Sequence, residues 1–231
     1  DFKLLELCDL NHPLLRKLSK GVPGTFQHSL QVANLAEEAI FYIGGNSLLV
    51  RAGAMYHDIG KIQNPNFFTE NQANGFSPHQ EIEPLESARI IINHVIIGVE
   101  MAKKYRLPEQ VIDFIRTHHG TTEVRYFLNL FRKQGNDSKA SESQFRYPGP
   151  IPFSKETAVL MIADGVEAAS RSLKTHDAVS INDLVDQIID YKIESNQFIN
   201  SDITFKDITV IKKIFKKRLM NIYHARIEYP V

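Results

Sequence analysis

A single cysteine, Cys8, leaves no partner for an internal disulfide and no thiolate set for a zinc cluster, and it fits a reducing compartment. Net charge is missing too: 27 Lys and Arg balance 27 Asp and Glu. General affinity for nucleic acid or for an acidic membrane surface therefore has no electrostatic basis. No apolar run reaches the roughly 18–20 residues that a bilayer-spanning helix needs, and no basic-then-apolar leader opens the chain. Strand patterns, repeats and a second-domain signal are also lacking. The first residue is Asp1 rather than Met, which predicts a piece cut from a longer protein. What remains is a 231-residue chain, 43% hydrophobic, able to bury one sizeable core as one domain over 1–231. Its unusual count is nine histidines.

Apolar periodicity is helical almost throughout, so the expected class is all-α, a helical bundle with two long loop insertions. A helix over 25–43 puts His28, Val32, Leu35 and Ala39 on one face and ends at Gly44-Gly45-Asn46. A nearly all-apolar helix over 47–56 stops at His57-Asp58-Ile59-Gly60. Helices are expected over 83–105, opened by Pro84 and aligning Ile90, His94, Ile97 and Met101, and over 108–115, ended by His118-His119-Gly120 with Gly120 as a left-handed cap. Further helices over 154–173, 180–191 and 205–226 follow, the last with an apolar stripe that can pack internally or across a homodimer. The stretches 64–82 and 132–152 are polar, Pro- and Gly-punctuated and aperiodic, the signature of functional lids or disordered excursions.

Several polar residues sit where polarity is expensive. His28 and His94 lie on apolar helix faces, and Asp164 interrupts Leu160-Met161-Ile162-Ala163 and Val166. His57-Asp58 and His118-His119 stand at helix ends, from which adjacent side chains can reach one pocket. Each has an ordinary explanation alone: a hydrogen-bonded core histidine, a helix cap, a buried ion pair. Together they would require five independently satisfied histidines and two buried acids, whereas a shared metal centre accounts for all seven. Imidazole and carboxylate without thiolate suit Fe, Mn or Zn and disfavour Ca and Mg. Seven ligands are too many for one ion that must leave room for substrate, and suit two.

His28, then His57-Asp58, then Asp164 resembles the H…HD…D signature of the HD-domain phosphohydrolases, and His94, His118 and His119 are similar to the extra ligands of the binuclear subgroup. The segments around them, from Gly24-Thr25-Phe26-Gln27-His28-Ser29 to Ala163-Asp164-Gly165-Val166-Glu167, span most of the chain and resemble the cytosolic HD domain of the seven-transmembrane HD receptors. No GYP tripeptide follows the HD motif, so the cyclic di-GMP branch that carries it is a poorer match. The resemblance implies one ion held by His28, His57, Asp58 and Asp164, and another held by Asp58, His94, His118 and His119, with Asp58 bridging. It implies a pair of transition-metal ions, Fe or Mn foremost, and hydrolysis of cyclic di-AMP to pApA. It also implies a cytoplasmic domain tethered to the inner face of a bacterial membrane by segments outside this chain, with no nucleic-acid partner.

Two ions roughly 3.5–4 Å apart generate hydroxide and clamp both reacting oxygens of an in-line displacement. The expected chemistry is therefore attack of a metal-bridging hydroxide on a phosphodiester. Lys61, three residues after Asp58, is placed to neutralise phosphate charge. Arg171, two turns after Asp164, can reach a second phosphate or form a surface ion pair. Asn64, Phe67, Phe68 and Phe76 are candidate base contacts, and His79 fits a loop role better than a lid role. Other nucleotide hydrolases (cyclic di-GMP, dNTP or ppGpp), an O₂-activating di-iron protein and a non-catalytic nucleotide sensor are the competing functions.

Overall fold

Two short helices, α1 (Phe2–Cys8) and α2 (Pro13–Gly21), precede everything the periodicity suggests. A computed structural model describes residues 2–72, 76–135 and 142–224. Parts of both aperiodic insertions, and the expected helix beyond 224, lie outside the described residues. The second helix starts at a proline, which suits a first turn. The His12 side chain accepts from Leu14 N at 3.4 Å, and Leu14, Leu15 and Leu18 are buried.

The next helix, α3 (Pro23–Ile43), begins two residues earlier than expected, again because proline suits the first turn, and ends at Gly44 with φ 80°. It packs against α4 (Ser47–Tyr56), whose first turn is capped by Asn46 Oδ1 accepting from Leu49 N at 2.9 Å. The chain then tightens into a 3₁₀ turn, Ile59–Gln63, laid against α5 (Pro84–Lys104). Only glycine permits that approach at position 60: a Cβ would come 1.8 Å from the carbonyl oxygen of His94. This contact brings the HD pair beside the His94 helix.

Helices α6 (Glu109–Thr117) and α7 (Arg125–Lys133) follow, then α8 (Lys155–Ser170), α9 (Ala178–Glu194) and α10 (Phe205–His224). Ser154 and Thr157 form a reciprocal capping box on α8, and Asp177 caps α9 by accepting from Ser180 N at 2.9 Å. The apolar stripe of α10 is spent internally: Ile208, Ile211, Phe215 and Leu219 join the main core with residues of α3, α4, α6 and α8. Cutting Phe215 or Leu219 back to alanine there would cost about 2–5 kcal/mol.

The described part of 64–82 holds three 3₁₀ turns, Pro65–Phe67, Thr69–Asn71 and Pro78–Gln80, and folds Phe68 inward to 5% exposure. The chain just before α7 pairs with the chain after it: Val124 N donates to Phe145 O at 2.8 Å and Tyr147 N to Thr122 O at 2.9 Å. Phe145 anchors a second small core with Ala88, Phe127 and Leu128. Among the described residues, pairing of β type is confined to the isolated bridge between Glu123 and Arg146.

Candidate metal centre

Five chain segments meet at one point. His28 comes from the second turn of α3; His57 and Asp58 end α4; His94 projects from the middle of α5; His118 and His119 end α6; Asp164 comes from the middle of α8. All but His119 are buried, with His57 and His118 fully so. Ligating atoms of His28, His57 and Asp164 lie within 4.8 Å of one another, as do those of His94, His118 and His119. Asp58 stands between the two groups and divides its oxygens. Oδ2 is 3.3 Å from His57 Nε2 and 3.6 Å from His28 Nε2; Oδ1 is 3.3 Å from His94 Nε2 and 3.6 Å from His118 Nε2.

Local helix geometry orients three of the imidazoles. Nδ1 of His57 donates to Ala54 O at 2.7 Å, Nδ1 of His118 donates to Ile115 O at 2.8 Å, and Nδ1 of His94 donates to Ile91 O. In each case the Nδ1 proton is given to the carbonyl three residues back, so Nε2 turns inward as the ligating atom. His94 Nε2 and His118 Nε2 consequently face each other at 3.2 Å. Meanwhile His57 Nε2 and Asp58 Oδ1, shut off from solvent, have no hydrogen-bond partner among the described residues. An orphaned buried polar atom costs about 1–3 kcal/mol. Converging nitrogen lone pairs beside unsatisfied carboxylate oxygen are what a cation would relieve, so the donor set fits transition metal.

Charge is organised to match. Burial alone would raise the Asp58 carboxyl, but Lys61 and His57 hold it well below the usual carboxylate range. Burial likewise opposes ionisation of Asp164, yet His28 and His57 keep it ionised. Burial pulls the His57 imidazole down, and Asp58 and Asp164 overcome this and push it up to about 10. His118 goes the other way: burial, abetted by His57, outweighs Asp58 and lowers it to about 4. His119 is held well below its ordinary range by burial and by His118.

Lys61 lies 2.7 Å from Asp58 Oδ2 and 2.8 Å from Glu70 Oε1, with the Phe68 ring 4.9 Å away. Arg171 donates to Glu167 Oε1 through Nε at 2.8 Å and Nη2 at 2.6 Å, while Glu167 Oε2 accepts from His28 Nδ1. Arg171 therefore meets the centre through a carboxylate rather than directly. Glu167, Glu70 and Tyr147 escaped sequence reasoning. Glu167 follows Asp164 by one helical turn, a spacing that could have flagged it. No comparable signal marks Glu70 in its aperiodic stretch, or Tyr147, whose ring stacks on His119 at 4.2 Å.

A cavity of about 440 Å³ opens onto the centre, lined by His28, Lys61, His119, Asp164, Arg171 and Lys192. Next to it, and sharing Thr69 and Glu70, is a more apolar cavity of about 530 Å³ lined by Phe67, Phe68, His79, Ile91, Tyr126 and Phe127. Asn64 lines neither cavity, and Phe76 is 54% exposed and lines neither. His79 is structural in its loop, with Nε2 2.8 Å from Phe67 O and its ring against Phe127.

Residues 25–169 match the model of the family described as HD domain. The chain is 44% identical over 228 residues to the cyclic-di-AMP phosphodiesterase PgpH of Bacillus subtilis, covering 99% of this chain and 32% of that protein. It is 43% identical over 228 residues to PgpH of Listeria monocytogenes, again over 99% of this chain and 32% of the relative. The crystal structure of the L. monocytogenes PgpH HD domain in complex with cyclic-di-AMP superposes with a TM-score of 0.89 at 43% identity, covering 92% of this chain and 99% of that one. The chain thus spans about a third of the length of these curated relatives.

Proposed function

The chain belongs to the HD domain family, and from that premise we propose that it is a metal-dependent phosphodiesterase that hydrolyses cyclic di-AMP to linear pApA. The carrying observation is the division of Asp58, whose two oxygens each face a separate group of ligating side chains. A bidentate anion between two clusters suits two ions: His28, His57, Asp58 and Asp164 would hold one, and Asp58, His94, His118 and His119 the other. Fe or Mn suits this imidazole and carboxylate set. When bound, such a pair of cations supplies ionisation of water at neutral pH and offsets charge on phosphoryl oxygens.

The remaining work falls to the chain. Water oxygen adds to phosphorus, the bond to the 3′ oxygen breaks, and that oxygen leaves with a proton. Lys61, held by Asp58 and Glu70, places a partly buried positive charge at the cavity wall where the phosphoryl group gains negative charge. His28 is oriented by Glu167, and through it by Arg171. The adjoining aromatic cavity, with Phe67, Phe68 and Tyr126, offers ring faces for an adenine. Support for cyclic di-AMP over other nucleotides comes from the relatives that act on it and the similar domain crystallised with it. Among the described residues no helix is long and apolar enough to cross a membrane, so any tether to a cytoplasmic membrane face belongs to segments other than those described.

The test is incubation of Mn²⁺-loaded protein with cyclic di-AMP, cyclic di-GMP, dNTPs and ppGpp, with products resolved by chromatography. Conversion of cyclic di-AMP to pApA is expected, and Asp58→Ala should abolish it. Hydrolysis of dNTPs or ppGpp with both cyclic dinucleotides untouched would overturn the proposal.

A further inference from the structure

Lys192 is a buried lysine with no counter-ion within ion-pair distance among the described residues. It sits on α9, is 9% exposed, and reaches across α8 into the cavity that opens on the metal centre. Position 165, next to Asp164, is what lets it through. A Cβ there would stand 3.0 Å from Lys192 Cε and 3.3 Å from Nζ, so an alanine would make the end of the lysine chain give by a few tenths of an ångström. Three lysine or arginine side chains line the cavity. Lys61 is engaged by Asp58 and Glu70, and Arg171 is engaged by Glu167. Among the described residues, no acceptor lies within hydrogen-bond or ion-pair distance of Lys192 Nζ. Burying an ammonium without a partner is costly, and proteins keep such groups where an incoming anion completes them. Burial does weigh on this group, lowering its pKa from the ordinary lysine range, with the Asp164 charge as the opposing influence.

A cyclic dinucleotide carries two phosphodiester anions, and only one can occupy the reacting position. The other needs a cation that is not already neutralised. We infer that Lys192 is the anchor for the non-reacting phosphate of a substrate with two phosphoryl groups, a statement that rests on the phosphodiesterase reading above.

Lys192→Met keeps the stem and removes the charge; Lys192→Arg keeps the charge. The Mn²⁺-loaded chain and both variants are compared in three measurements. These are the equilibrium Kd of the slowly hydrolysed bis-phosphorothioate of cyclic di-AMP, kcat and KM for bis(p-nitrophenyl) phosphate, which has a single phosphoryl group, and the thermal midpoint. Lys192→Met should weaken cyclic dinucleotide binding about tenfold to a hundredfold, the range of one charged hydrogen bond. It should lower kcat/KM on the one-phosphate diester far less than it weakens dinucleotide binding and should not lower the midpoint, and Lys192→Arg should retain most of the affinity. Unchanged dinucleotide affinity in Lys192→Met, equal losses on both ligands, or a lowered midpoint accompanying the loss would each overturn the anchor. If the parent chain binds the dinucleotide but cleaves neither diester, the phosphodiesterase reading fails while the Kd comparison still decides the anchor. If it binds none, both fail.

Discussion

Lys61 Nζ lies 2.7 Å from Asp58 Oδ2, the same oxygen that faces His28 and His57, so one carboxylate serves a partly buried lysine and both ligand groups at once. Removing it should therefore do more damage than removing any single imidazole. Asp58→Ala is expected to abolish retention of both ions, whereas His94→Ala should lose mainly the ion of its own group. Elemental analysis after desalting reads the difference. Asp58→Ala should also lower stability, because it leaves Lys61 with Glu70 as its remaining ion-pair partner. Equal metal content in Asp58→Ala and the parent would refute the bridging role.

Metal uptake should release protons. Ligation needs an unprotonated Nε2. In the metal-free chain burial lowers the His57 imidazole, but Asp58 and Asp164 prevail and push it up to about 10, so it carries a proton at pH 8. His118, lowered to about 4 chiefly by burial, has none to give. Calorimetric titration with Mn²⁺ at pH 8, in two buffers of different ionisation enthalpy, should show release of at least one proton, and affinity should fall as pH is lowered. Heats independent of buffer would contradict this charge arrangement.

Glu167 should matter for metal affinity although it reaches the centre only through His28. Glu167→Ala frees the His28 ring, and a loss of about 10–100-fold in metal affinity is expected, the usual effect of removing such an orienting partner. Arg171→Ala, which disturbs only the far oxygen of Glu167, should lose less. Competition with a chelator of known affinity ranks the two, and a reversed order would place Arg171 at the centre itself.

The stability effect of Lys192 should depend on pH with a definite sign. Its folded pKa is lowered from 10.5, first by burial, so the unfolded chain binds the proton more readily. The ammonium then costs stability below the folded pKa, where both states are protonated, and the cost vanishes as pH rises past the folded pKa towards 10.5. Lys192→Met should be more stable than the parent at neutral pH, with the gain shrinking towards that limit. Melting curves across the range check it; a gain that does not vary with pH would exclude the buried charge as its source.

Much of this was legible along the chain. The helix Ser47–Tyr56 coincides with the span read from its apolar run, and the long helices α3, α5 and α10 fall within a few residues of their expected bounds. Polar residues interrupting apolar faces marked His28, His94 and Asp164. Among the described residues, three helices carry no such signal. α1, α2 and α7, of seven to nine residues each, are too short to show more than two turns of periodicity. The aperiodic insertions were recognised, but not that Phe68 and Tyr147 fold from them against His94 and His119.

By itself the sequence determined the helical class, the order of the elements and the seven side chains that converge, because helix formation and the cost of burying polarity act over neighbouring residues. Tertiary structure alone decided how Asp58 divides its oxygens, that Glu167 holds His28, that Glu70 engages Lys61, and that Lys192 passes over Gly165 without a partner among the described residues. Glutamate or lysine on an amphipathic helix reads locally as a solvated group. Whether it meets water, a histidine or an empty cavity depends on which helix, dozens of residues away, packs across it.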